Sequence, residues 1–164
     1  MPVFLDISAY ASTPSAVTDL PPPPSSASPV SSAFVDSMAT FWIVDSADKL
    51  HTITNSSPGF TINTANGTVP VKAVGTALVY LRVSGKWQCF EVPNVLLLPN
   101  CGATLYSTRV MNQCHHIVHN IDSGHATAPS GTLDIHDSGT AYETPVAFVP
   151  PGTPLPPHTL APMS

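Results

Sequence analysis

One place in this sequence combines a carboxylate with the setting that carboxylate chemistry needs. Asp45-Ser46 follows directly on the apolar run Phe41-Trp42-Ile43-Val44. A buried strand fixes a carboxylate delivered from its end. A hydroxyl at the next position can brace a facing loop, and the small Ala47 after it leaves room for a peptide backbone. Two such carboxylates that share one proton can activate a water for peptide hydrolysis. A chain with one such loop needs a second copy across a two-fold axis. The simpler use of the same residues is an Asp-Ser turn closing a strand.

The dipeptide recurs in Asp122-Ser123-Gly124 and Asp137-Ser138-Gly139, behind His119-Asn120 and Asp134-Ile135-His136 respectively. Neither has a wholly apolar strand in front of it, so both read as surface turns. Cys114, His115, His116, His119 and His125 are metal-ligating types, but the spacing is not a paired-ligand pattern. Adjacent strand residues point to opposite faces, so no metal site is expected. Asn55-Ser56-Ser57 and Asn66-Gly67-Thr68 fit the glycosylation acceptor pattern by chance. The run Pro21 to Pro24 suits an aromatic groove or, more simply, a linker.

The elements that would position Asp45 lie in the middle of the chain. Of 19 prolines among 164 residues, seven fall in residues 1–40 and seven in 145–164, whereas all five basic residues lie between them. Pro/Ser-rich segments cannot bury enough surface to offset backbone entropy of about 1–2 kcal/mol per residue. Residues 1–40 and 150–164 are therefore expected as extended, mobile linkers around one module at 41–149. Inside it the apolar pattern has period two. Ala77, Val79, Leu81 and Val83 share a face opposite Leu78, Tyr80 and Arg82, Ser84-Gly85 turns, and Trp87 to Val92 returns. Further strands are expected at 41–44, 59–63, 69–73, 94–98, 117–121 and 146–149, with a hairpin turn at Asn66-Gly67. Thr104 to Gln113 is the one helix candidate. Many short strands between turn signals predict an all-β sandwich or barrel.

The formal charge of -5 without a Lys/Arg cluster argues against direct nucleic-acid binding. No apolar run reaches the roughly 18 residues of a membrane span. Three cysteines, an odd count, together with an N-terminus lacking a basic start, point to an intracellular, cytoplasmic setting.

Phe41-Trp42-Ile43-Val44-Asp45-Ser46 resembles the start of the protease domain in copia-type retrotransposon Gag-Pol polyproteins, and His51 holds that family's His spacing. Ala65-Asn66-Gly67-Thr68, Val74-Gly75-Thr76, Val92 to Pro99 and Leu105-Tyr106-Ser107 then match further family segments in order, over about residues 41–148. The resemblance implies a small, closed or partly closed retropepsin-like β-barrel with at most one short helix. It implies a homodimeric aspartic endopeptidase that cleaves its own polyprotein without a cofactor, in a virus-like particle where the element is active. Carried over, Asp45 is the catalytic aspartate, Ser46 the bracing hydroxyl, Ala47 the residue lining the cleft, and Asn66-Gly67 the tip of a flap over substrate. His51 has no derivable role beyond that of a polar residue at a strand edge.

The departures fall at the site itself. Ala47, Asp48 and Lys49 stand where the family has Gly, Ala and Ser, and Cys114 replaces a later Gly. Alanine costs about 1 kcal/mol wherever positive φ is required. A cation at Lys49 favours two ionised carboxylates, which cannot share a proton. A second expectation follows: an inactive barrel serving as a structural or protein-binding module.

Overall fold

The structure is a computed structural model that describes residues 4–5, 22–24, 26–64, 67–120 and 122–163. In chain order its strands are β1 (Phe4–Leu5), β2 (Ser31–Asp36), β3 (Ile43–Val44), β4 (Thr52–Asn55), β5 (Thr61–Thr64), β6 (Gly67–Pro70) and β7 (Ala73–Val83). They continue as β8 (Lys86–Leu97), β9 (Thr104–Ser107), β10 (Val118–Asn120), β11 (His125–Ala128), β12 (Gly131–Leu133), β13 (His136–Asp137) and β14 (Tyr142–Phe148). One α-helix, α1 (Thr108–His115), occurs among the described residues.

The order β7-β8-β3-β9-β2-β14, closed by pairing of β14 with β7, makes a six-stranded barrel. Among the described residues the fold is all-β with a single short helix, as the alternating pattern predicts. The β7–β8 hairpin runs from Ala73↔Leu97 to Val83↔Lys86, and its Ser84-Gly85 turn has φ of 50° and 80°. Ala77, Val79, Leu81 and Val83 point into the barrel with Trp42, Val44, Leu50, Phe90, Tyr106 and Phe148. The opposite face is also covered: Leu78 and Tyr80 pack with Cys89, Ala147 and Val149. A further cluster outside the barrel joins Phe34, Ile43, Leu96, Leu98 and Leu105 to Ile62 and Val71 of the β5–β6 region. Among the described residues no helix is long and apolar enough to cross a membrane.

Three sequence expectations are corrected. The ordered module does not begin at residue 41, because β2 within the expected linker of residues 1–40 lies between β9 and β14, with Ala33 and Phe34 buried. Its Ser-rich sequence hides a strand that neighbours on both sides make favourable. The helix does not start at Thr104. Thr104 to Ser107 form β9, since Leu105 and Tyr106 fit a buried strand. Ser107 then caps α1, its Oγ accepting from the Val110 amide (3.2 Å) and donating to the Ala39 carbonyl (2.7 Å). Finally, residues 150–163 do not stand away from the barrel. The Leu160 amide bonds the Cys89 carbonyl and the Glu91 amide bonds the Leu160 carbonyl, both at 2.9 Å, so the segment covers the edge of β8.

Candidate functional site

β3 is short, yet held on both sides. Leu96 N donates to Trp42 O (3.0 Å) and Leu98 N to Val44 O (2.9 Å), while Ile43 pairs with Leu105 across β9. Ile43 and Val44 are fully buried, so the backbone that hands out Asp45 is fixed. The chain then enters a 3-10 turn, Ala47–Lys49. Ser46 Oγ accepts from Asp48 N (3.3 Å), Lys49 N donates to Ser46 O, and Leu50 N to Ala47 O, both at 3.1 Å. Leu50, fully inside the core, anchors the far end.

This turn brings Lys49 back onto Asp45. The ammonium Nζ lies 2.9 Å from Asp45 Oδ1 and 3.0 Å from Thr104 Oγ1, and 5.7 Å from the centre of the Phe148 ring. The side chains of Lys49 and Asp45 retain only 25% and 27% of their exposure. Thr104 is buried, and Asp48 points to solvent. Cys101 stands beside the pair. Burial pushes its thiol up; the Asp45 charge adds to this, and its bond to Ala103 and the Lys49 charge oppose it. Ala47 is not among the residues with positive φ, so alanine meets no strain there.

The residues expected at the site separate accordingly. Asp45, Ser46 and Ala47 share one loop at the end of β3. Ser46 Oγ accepts from the amide of its own turn, which leaves its O–H as a donor. Gly67 opens β6, whose hairpin with β5 pairs Thr64 with Gly67. Its base rests, through Ile62, in the cluster that holds Ile43, two residues before Asp45. Asn66, the other expected flap residue, lies outside the described residues. His51 takes a specific place: Nε2–H donates to the Thr153 carbonyl (2.6 Å), tying the C-terminal segment to the barrel. Gly75, in the matched Val74-Gly75-Thr76 segment, sits at a bulge where a Cβ would lie 2.2 Å from Thr52 O, which requires glycine.

Sequence reasoning missed Thr104 and Cys101. Lys49 was legible as a cation four residues from Asp45. Thr104, fifty-five residues away, carries no local signal. Asp122-Ser123-Gly124 forms a turn, with Gly124 N bonded to Asn120 O (2.9 Å), whereas Asp137 ends β13 and its Oδ1 accepts from Gly139 N (2.8 Å) where the chain bends back toward β14. Among the described residues no three His, Cys, Asp or Glu side chains converge as a metal site. His115 Nε2–H donates to the Glu91 carbonyl (2.7 Å), and His119 Nε2 accepts from the Tyr106 hydroxyl (2.7 Å). Burial pulls His119 from 6.5 down to about 4, so the ring is neutral at pH 7. Burial likewise holds the Tyr106 hydroxyl well above its ordinary value.

The arrangement supplies one rigidly presented carboxylate with a cation on it. Among the described residues no second carboxylate of the chain bonds to Asp45 or Lys49. Comparison with protein-family models, with curated proteins and with solved structures returns no match.

Proposed function

We propose that this chain is the aspartic endopeptidase barrel of a copia-type retrotransposon polyprotein in a catalytically silent form. Asp45 occupies the place of the catalytic carboxylate. In an active homodimer, two copies of it would meet, share a proton and polarise a water against a peptide bond of the polyprotein. The observation that carries the silent form is the position of Lys49. Its ammonium touches Asp45 Oδ1 and Thr104 Oγ1 together. That contact occupies an oxygen of the carboxylate that an active pair would need for the shared proton and the water. Ser46 also caps its own turn, accepting from the Asp48 amide. Support for the lineage comes from the segments matched in order and from a strand that delivers Asp-Ser at its end within a closed six-stranded barrel.

What the barrel does in this state is bind or space other parts of a polyprotein, in the cytoplasm. Purified chain and the triple variant Ala47→Gly, Asp48→Ala, Lys49→Ser test the assignment against an unstructured peptide library between pH 4.5 and 7. The expected result is no cleavage by the natural chain and cleavage by the triple variant that Asp45→Ala abolishes. Cleavage that survives Asp45→Ala would remove the assignment. A folded, dimeric triple variant that cuts nothing would leave only the binding role.

A further inference from the structure

Apart from Asp45, and independent of how that site is read, the C-terminal segment crosses the outside of the barrel on a few separate supports. The chain leaves β14 at Phe148 and turns at Pro150-Pro151-Gly152, where Gly152 takes φ of 82° and Thr153 N donates to Pro150 O (3.3 Å). From there it is tied to the barrel at three places. His51 Nε2–H donates to Thr153 O (2.6 Å), and Leu160 exchanges backbone bonds with Cys89 and Glu91, both at 2.9 Å. Met163 N donates to the Cys114 carbonyl near the end of α1 (2.9 Å).

Between the first two ties the segment stands off. An open groove of about 880 Å³ lies there, with Tyr80, Trp87, Gln88 and Cys89 on its barrel side and residues 153–158 on the other. Among the described residues 154–158 make no hydrogen bond to the barrel, and three of these five are prolines, which have no N–H to give. Only Pro156 of the five is buried, and Leu155 is 60% exposed. A segment held at points, with few buried apolar contacts, has a low free energy of local opening. What it covers is the opposite. Cys89 is 4% exposed. Burial pushes its thiol up from the ordinary value; a bond with Thr159 opposes this and the Glu91 charge adds to it. The Cys89 carbonyl and the Glu91 amide belong to the edge of β8 that Leu160 satisfies. An uncovered edge of this kind is a template for another strand.

We propose that residues 153–163 are a strap that opens as one unit while the barrel stays folded, and so gates both the Cys89 thiol and the β8 edge. One movement serves both, because the adjacent residues Thr159 and Leu160 hold the thiol and the edge respectively. The hinge is the corner before Thr153. Its two prolines fix the exit from β14, and Gly152 has the backbone freedom to let the rest swing. The barrel does not depend on the strap for closure, since β14 pairs with β7 ahead of the hinge.

The test uses the full chain carrying Cys101→Ser and Cys114→Ser, which leaves Cys89 as its one thiol. Iodoacetamide labelling of Cys89 and hydrogen exchange at the Glu91, Leu160 and Met163 amides are followed as urea rises below the unfolding transition. Labelling is expected at least about tenfold slower than in the unfolded chain and nearly independent of urea in this range, as for a local opening. Amides of the β7–β8 ladder exchange only through global unfolding, with its steep urea dependence. His51→Ala removes a tie far along the strap from Cys89. It speeds labelling and all three amides together by about three- to tenfold, the worth of one hydrogen bond, and His51→Gln, which keeps a donor, recovers most of this. Matching circular dichroism of the variants keeps misfolding from imitating an open strap. Three results overturn the proposal. Labelling and exchange that rise with urea as steeply as the ladder amides would mean that strap and barrel open only together. Labelling as fast as in the unfolded chain would mean that nothing gates the thiol. A His51→Ala variant that leaves Cys89, Glu91 and Leu160 unchanged would mean that the ties open one by one.

Discussion

Replacing Lys49 tests whether the cation truly holds Asp45. At 2.9 Å the direct attraction is roughly 6 kcal/mol at an effective dielectric constant of about 20. Dehydration of both groups cancels most of this. Each side chain keeps about a quarter of its exposure, so water still screens the pair. The net coupling should therefore fall at about 1–1.5 kcal/mol, just above the range of fully exposed pairs and well below the loss seen when a buried ion is stranded. Lys49→Met alone should cost about 1.5–2 kcal/mol. It leaves Asp45 without its cation and takes a donor from Thr104 Oγ1. Asp45→Asn alone should cost about 1 kcal/mol, and the double variant less than the sum by the coupling energy. Urea denaturation at pH 7 with an unchanged m-value gives all four free energies. Repeating the cycle in 1 M salt should shrink the coupling without abolishing it. Strict additivity, with a coupling below about 0.3 kcal/mol, would show that Lys49 leaves Asp45 free in solution. The silent-centre reading would then lose its support.

Two further outcomes follow from the core. His119 has its folded-state value lowered to about 4 from 6.5, so the unfolded chain binds more protons across that window. The stability it contributes is complete above about pH 6.5 and is lost as the pH falls toward 4. The full shift would be worth roughly 3 kcal/mol, and partial exposure reduces the expectation to about 1–2 kcal/mol. His119→Gln should flatten that part of the curve of denaturation midpoint against pH, and parallel curves would contradict it. Ser107→Ala removes a buried cap and a bond to Ala39 at once, and should lower stability by about 1.5–2.5 kcal/mol in thermal or urea melts.

How far the sequence could be read depended on whether the relevant forces were local. The β7–β8 hairpin was legible because period-two apolar residues and Ser84-Gly85 are both local signals, and each is realised. β2 was not, because Phe34-Val35 is too short an apolar run beside Ser31-Ser32-Ala33 to signal a strand; the strand is made by pairing with β9 and β14, far away in sequence. The C-terminal segment was invisible for the same reason. Its prolines suggest an isolated linker, but Leu160 finds the open edge of β8 and His51 finds Thr153. At the candidate site, Asp45 and Ser46 were legible from the apolar run before them. Lys49 was legible as well, four residues on, whereas Thr104, which shares its ammonium, comes from a strand fifty-five residues away and leaves no local signal.

The three residues at positions 47–49 also form one consistent structure. A glycine in a tight loop serves positive φ, whereas Ala47 sits in a helical turn that alanine favours. Asp48, exposed, supplies the amide that Ser46 caps and an acidic residue in the first turn, where the turn's dipole favours it. Lys49, four residues beyond Asp45, then has the spacing that brings its ammonium onto the carboxylate. Meanwhile Trp42, Ile43, Val44 and Leu50, which flank the loop, remain apolar and buried.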